Sequence, residues 1–195
     1  WVRHKQVEAL QVVTTSWELP NATDADVALL CKLNGLSGVP ILVTYQDYGY
    51  LPAFCHISAK DIALKKGGRR VHGWSFWRVI DTDHTTGESH SLMMAEHHSV
   101  WETEDGFLVD VTPPRHGANN TLFLRDDGAT IISKNGEIPI RTNLADLQEG
   151  IFLRDAQAVN YDSYALPEVD AALAHQYATI IGFDMSKYPT DPEDG

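Results

Sequence analysis

Cysteine is scarce. Cys31 and Cys55 are the only two in 195 residues. That is too few for the disulfide scaffold of a small secreted domain, and a chain of this length can build its own core without one. A reducing, cytoplasmic setting is therefore expected. Long apolar runs are also missing: stretches such as Val39-Pro40-Ile41-Leu42-Val43 fall far short of the roughly 20 residues that cross a bilayer, so no transmembrane segment is expected. Positive charge is in deficit, with 15 Lys and Arg against 27 Asp and Glu. The formal net charge of −12 argues against nucleic acid or an anionic membrane surface as partner, and the acidic surplus reads as a solvated face. Neither Cys-x-x-Cys nor His-Glu-x-x-His occurs, and there is no glycine-rich phosphate loop, so neither a metal nor an organic cofactor is implied. Internal repeats, low-complexity tracts and linkers are absent too, which leaves one domain over residues 1–188 and a disordered tail over 189–195.

What the sequence does contain is a mixture of helical and strand-like segments. Thr23 with Asp26 reads as a capping box before Val27, Leu30 and Cys31, a helix that Gly35 ends. Val39 to Tyr45 reads as a buried strand, and Gln46 to Pro52 as a loop leading to Cys55. After Cys55, the spacing of Ile57, Ala59, Ile62, Ala63 and Leu64 predicts a helix that Gly67-Gly68 stops, which puts the cysteine in its first turn. Val71–Ile80, Leu92–Trp101 and Phe107–Thr112 predict an antiparallel meander. Short strands at Thr121–Leu124, Thr130–Ser133 and Glu137–Ile140 continue it, punctuated by Asp127-Gly128 and Asn135-Gly136. A last helix follows Pro167 and ends at Gly182. The fold class is α+β.

A thiol attacks a carbonyl as its thiolate, which a helix N-terminus stabilises through free N–H groups and the positive end of the dipole. Cys55 has that placement. A turn through Glu102–Gly106 lets Trp101 face Phe107, and continuing that register sets His98 opposite Asp110 on one sheet face. It is one register among several, and a one-residue slip would separate the pair. In it the carboxylate orients an imidazole whose other nitrogen serves a nucleophile.

Four segments carry a family resemblance: Cys55 opening a helix, Gly67-Gly68-Arg69-Arg70-Val71-His72-Gly73-Trp74, His98-Ser99-Val100-Trp101, and Asp110-Val111-Thr112-Pro113. In order, element type and spacing this part of the chain resembles the transglutaminase-like branch of the papain-like cysteine enzymes. Ala53 and His56 stand where that family commonly has a glycine and an aromatic residue. The resemblance implies a papain-like core, a helix carrying the cysteine packed on an antiparallel sheet. It also implies Cys55 as nucleophile, His98 as base and Asp110 as its orienter. Candidate oxyanion donors are the Cys55 backbone N–H and Gln46, for which a solvent-facing role is equally open.

Trp74, Trp77 and Trp101 are candidates for core packing first, and Trp74 and Trp101 for a substrate groove second. Among the nine histidines, His84 and His90 share a polar loop with Asp83 and Glu88, while the adjacent His97 and His98 must point to opposite faces of a strand. A structural zinc is not expected, and His56, His72 and His97 read as ordinary, partly exposed residues or as partners behind the site. The leading function is thiol-dependent acyl transfer on a peptide, protein or small amide, resolved by water or by an amine. The alternatives are an inactive binding module on the same scaffold and a metal-dependent hydrolase using the His84–His98 region.

Overall fold

The computed structural model describes residues 13–114, 117–129, 151–154, 157–160 and 168–188. The elements run β1 (Val13–Glu18), α1 (Ala25–Leu33), β2 (Ile41–Thr44), α2 (Cys55–Lys66), β3 (Arg69–Asp83), β4 (Ser89–Glu102), β5 (Leu108–Val109), β6 (Asn120–Arg125), β7 (Ile151–Arg154), β8 (Gln157–Asn160) and α3 (Glu168–Ile181). The fold is α+β, with three α-helices and antiparallel strand ladders among the described residues. The strands expected at Thr130–Ser133 and Glu137–Ile140, and the tail 189–195, lie outside the described residues. Among the described residues, no helix is long and apolar enough to cross a membrane.

The long hairpin of β3 and β4 is the frame. Both strands are rich in β-branched and aromatic residues, and most of β3 is buried on both faces rather than alternating, as expected of a central strand. The sheet order is β2-β6-β3-β4-β7-β8, with β1 also on β3 and β5 also on β4. The expected meander is formed by β3, β4 and β5, but it does not continue into β6. β6 does not follow β5 but returns to the far side of β3, with Gly73 opposite Arg125 and Ser75 opposite Phe123. β2 is not the buried strand its composition suggests: it pairs with β6, and Ile41 and Leu42 are exposed while Val43 is buried.

Cross-strand partners project to the same side, which divides the sheet's contacts cleanly. One face carries Arg70, His72, Trp74 and Phe76 beside Trp101, Ser99, His97 and Ala95. The helices cover it. Val27, Leu30 and Cys31 of α1 pack on Trp74, Phe76, Met93, Leu122 and Leu124, and Ile57, Ala59, Ile62 and Ala63 of α2 pack on Trp101 together with Tyr177 and Ala178 of α3. Each such large apolar side chain contributes about 1.5–3 kcal/mol when removed from water. The other face carries Val71 and Val100, in one cluster with Val43 and Phe123.

α1 begins at Ala25 with Asp24 as its N-cap residue, so the capping box at Thr23 is not formed. The carboxylates of Asp24 and Asp26 instead both engage Arg78 of β3, at 3.3 and 2.9 Å, tying the helix start to the sheet. α2 ends where Gly67 and Gly68 both take φ near +80°. A Cβ on Gly68 would meet the Glu102 carbonyl at 2.1 Å, so the pair serves both to stop the helix and to bring the chain against β4.

Candidate active site

Cys55 is the first residue of α2, half-buried, with Phe54 as N-cap and no side-chain cap. The N–H groups of Cys55 and His56 therefore belong to the first turn, which has no intrahelical acceptors. The chain arrives through Ala53 at φ +71°, a left-handed conformation that favours glycine. The backbone here takes a conformation that glycine adopts freely, although the side chain is Ala.

The helix start is held from several sides. Phe54 stacks on Tyr177 with ring centroids 4.3 Å apart, and Ser58 Oγ lies 2.9 Å from the Tyr177 hydroxyl. Buried Arg70 donates from Nη1 to the His56 carbonyl at 3.1 Å and from Nη2 to the Tyr188 carbonyl at 2.8 Å. Trp101 Nε1 donates to the Gly67 carbonyl at the other end of the helix.

His98 lies on β4 opposite Gly73, and the missing side chain there makes room: a Cβ on Gly73 would lie 2.1 Å from the Leu124 carbonyl and 2.7 Å from the Phe123 ring. The Phe123 ring meets the His98 imidazole edge-on at 6.3 Å. Nε2 of His98 donates to Asp110 Oδ2 at 2.9 Å, which leaves Nδ1 as the second ring nitrogen. Burial on its own would push His98 down. The neighbouring Asp110 and Cys55 outweigh it and hold the imidazole well above its usual range. The His98 side chain keeps 14% of its surface, which leaves the site reachable from solvent, whereas Asp110 keeps none.

Asp110 is fixed by four contacts besides His98. Thr121 Oγ1 donates to Oδ2 at 2.6 Å, the Thr112 N–H donates to Oδ1 at 3.0 Å, and the backbone of Asp110 is clamped between Thr44 O and the Gln46 N–H. The expected register is off by two residues. Trp101 pairs with Val109, not Phe107, because the hairpin closes at Thr103 and Phe107 around a three-residue loop, Glu104-Asp105-Gly106, with Gly106 at φ +83°. A two-residue shift keeps the face, so Asp110, just past the end of β5, still reaches His98.

Gln46 has a different place from the one its chemistry suggests. Its side chain is exposed and accepts from the Tyr48 hydroxyl at 3.0 Å, and its backbone N–H is what touches the site, through Asp110. Trp74 and Trp101 are both buried in the core and do not line an open groove. Cys31 is buried under α1, and burial pushes its thiol up. His84 binds Thr14 Oγ1 at 2.8 Å.

The larger correction concerns His56, His72 and His97. All three are buried rather than partly exposed, and they lie together on the helix-covered face, behind Cys55. Burial first, then His97, His72, Arg70 and His98, push His56 well below the usual imidazole range. Sequence reasoning missed this grouping because it compared neighbours along the chain. The available signal was the parity of the β3–β4 hairpin, which places His72 beside Ser99 and Trp74 beside His97. Among the described residues, Thr112 Oγ1 is the one buried side-chain polar atom without a hydrogen-bond partner.

Comparison with protein-family models, with curated proteins and with solved structures finds no match to this chain, so a functional reading has to rest on the architecture and the site geometry themselves.

Proposed function

We propose that the protein is a thiol-dependent acyl-transfer enzyme of the transglutaminase-like, papain-like type, with Cys55 as nucleophile, His98 as base and Asp110 as its orienter. The observation that carries the reading is the imidazole of His98, hydrogen-bonded through Nε2 to the buried carboxylate of Asp110, together with a cysteine that opens a helix. The neighbouring Cys55 and Asp110 hold that imidazole well above its usual range, which further supports the reading.

In this reading His98 Nδ1 takes the Cys55 proton and the sulfur attacks the carbonyl carbon of an amide or related acyl group. The developing oxyanion meets the first-turn N–H of Cys55. His98 then returns the proton to the leaving amine, a thioester forms on Cys55, and water or a second amine resolves it. Hydrolysis is the default outcome, because water is always at hand, and the substrate class is a peptide, protein or small amide. A free thiol in this role suits a reducing, cytoplasmic setting.

The test is to trap the acyl-enzyme. Reaction with an activated ester such as p-nitrophenyl acetate, followed by intact mass and peptide mapping, should place a single acetyl group on Cys55 and none on Cys31. Acetylation of lysines alone, with Cys55 untouched, would favour an inactive binding module on the same scaffold.

A further inference from the structure

The helix-covered face of the sheet changes character along its length. Under α1 it is filled by Trp74, Phe76, Met93 and Leu122. Under the first turn of α2 it is filled by three imidazoles, His56 from the helix, His72 from β3 and His97 from β4. Burying three polar rings together costs desolvation that an apolar filling would avoid, so packing alone does not account for them.

One nitrogen from each ring lies within 4.8 Å of the others, and no other such group of three His, Cys, Asp or Glu is found among the described residues. Each ring also has a nitrogen backed by a neutral partner. His97 Nε2 lies 2.9 Å from the Ala129 carbonyl, and the Nδ1 atoms of His56 and His72 lie 2.6 and 2.8 Å from Ser99 Oγ. A carbonyl only accepts, so His97 carries its hydrogen on Nε2 and, when neutral, its lone pair on Nδ1. Ser99 has one proton to give, so at least one of His56 and His72 donates from Nδ1 and holds its lone pair on Nε2. An outer partner that fixes the tautomer, as on His97 and on at least one of the other two rings, is the arrangement seen behind metal-ligating histidines.

We infer that His56, His72 and His97 form a three-histidine site for one divalent ion of the borderline d-block class, of which Zn²⁺ is the simplest member. Nitrogen donors of this kind select such ions over the oxygen-seeking Mg²⁺ and Ca²⁺. A tetrahedral shell with metal–nitrogen distances of about 2.0–2.1 Å sets the nitrogens roughly 3.4 Å apart, so nitrogens up to 4.8 Å apart need to close by as much as about 1.4 Å. Among the described residues no carboxylate belongs to the group, and the three imidazoles are neutral ligands. An ion there would fix His56, and with it the turn that carries Cys55. The inference holds whether or not Cys55 is a nucleophile.

The experiment is a titration of metal-free protein with Zn²⁺ alone against a chromophoric chelator, for wild type, Cys55→Ser, His72→Phe and His97→Phe, with folding checked by circular dichroism. Wild type and Cys55→Ser should each bind one equivalent. The two phenylalanine variants should bind at least about 100-fold more weakly, beyond the roughly 10–100-fold that loss of an outer partner costs. X-ray absorption on the wild-type Zn²⁺ complex provides a readout independent of variant folding, and should report three imidazole nitrogens. Binding that the phenylalanine variants leave unchanged, absorption with fewer than three imidazoles, or wild-type binding no tighter than that of the variants would overturn the site.

Discussion

Thr121 and His98 share one oxygen of Asp110: the threonine hydroxyl donates to Oδ2 at 2.6 Å and the imidazole Nε2 at 2.9 Å. The carboxylate is wholly buried, so its orientation depends on these donors and on the Thr112 N–H. Thr121→Val keeps the shape and removes the hydroxyl. It should cost about 1.5–3 kcal/mol, the range for a hydrogen bond to a charged group. Chemical denaturation checks the cost. A loss below about half a kcal/mol, within the range of ordinary surface substitutions, would mean that Asp110 is positioned without Thr121.

Ala53 enters the helix of Cys55 at φ +71°, where an L-residue is strained by roughly 1–2 kcal/mol. Glycine relieves the strain but adds unfolded-chain entropy of about 0.4–1 kcal/mol. Ala53→Gly should therefore leave the protein equally stable or up to about 1.6 kcal/mol more stable, measured as a shift in denaturation midpoint. Marked destabilisation would contradict the left-handed assignment.

Gly73 faces His98 across the hairpin, and a methyl group there would collide with backbone, the Leu124 carbonyl at 2.1 Å. Gly73→Ala should cost about 2–4 kcal/mol, since β6 must move away from β3 and the Phe123 ring away from the imidazole. Thermal unfolding decides it, and a variant as stable as wild type would show that β6 does not approach this closely.

Tyr50 is buried and donates to Asp61 Oδ2 at 2.6 Å, and burial together with that carboxylate pushes its hydroxyl well above the usual phenol range. A group raised in the folded state stabilises it fully below the unfolded pKa of about 10 and loses that contribution as pH rises. Stability should therefore fall above about pH 10, and Tyr50→Phe, less stable at neutral pH, should show a shallower alkaline decline. Urea midpoints across that range test the sign; parallel curves for the two proteins would contradict it.

How much of this was legible in the sequence follows from what each residue depends on. Cys55 at a helix start was readable because local signals set both ends, apolar spacing within and Gly67-Gly68 beyond. The common face of His98 and Asp110 was readable because strand parity survives an error of two residues. Their register was not, because it turns on a three-residue loop whose Gly106 takes φ +83°, a choice among turn types that the composition Glu-Thr-Glu-Asp-Gly leaves open. The place of β6 was hidden for a related reason: it returns to β3 through a long-range pairing that no neighbouring residue encodes. The buried histidines were hidden because three separate elements supply them, and the exposure of β2 because Val and Ile at an edge read like Val and Ile in a core.

The most direct test of the central claim is the rate of iodoacetamide alkylation of folded protein near about pH 7, read by intact mass, for wild type, Cys55→Ser, His98→Ala and Asp110→Asn. The account predicts one rapid label on wild type, none on Cys55→Ser, and rates lower by roughly 10²-fold or more in His98→Ala and Asp110→Asn, the scale of a positioned base and its orienter. Equal rates in wild type and His98→Ala, or labelling of Cys55 only when unfolding also exposes Cys31, would contradict it.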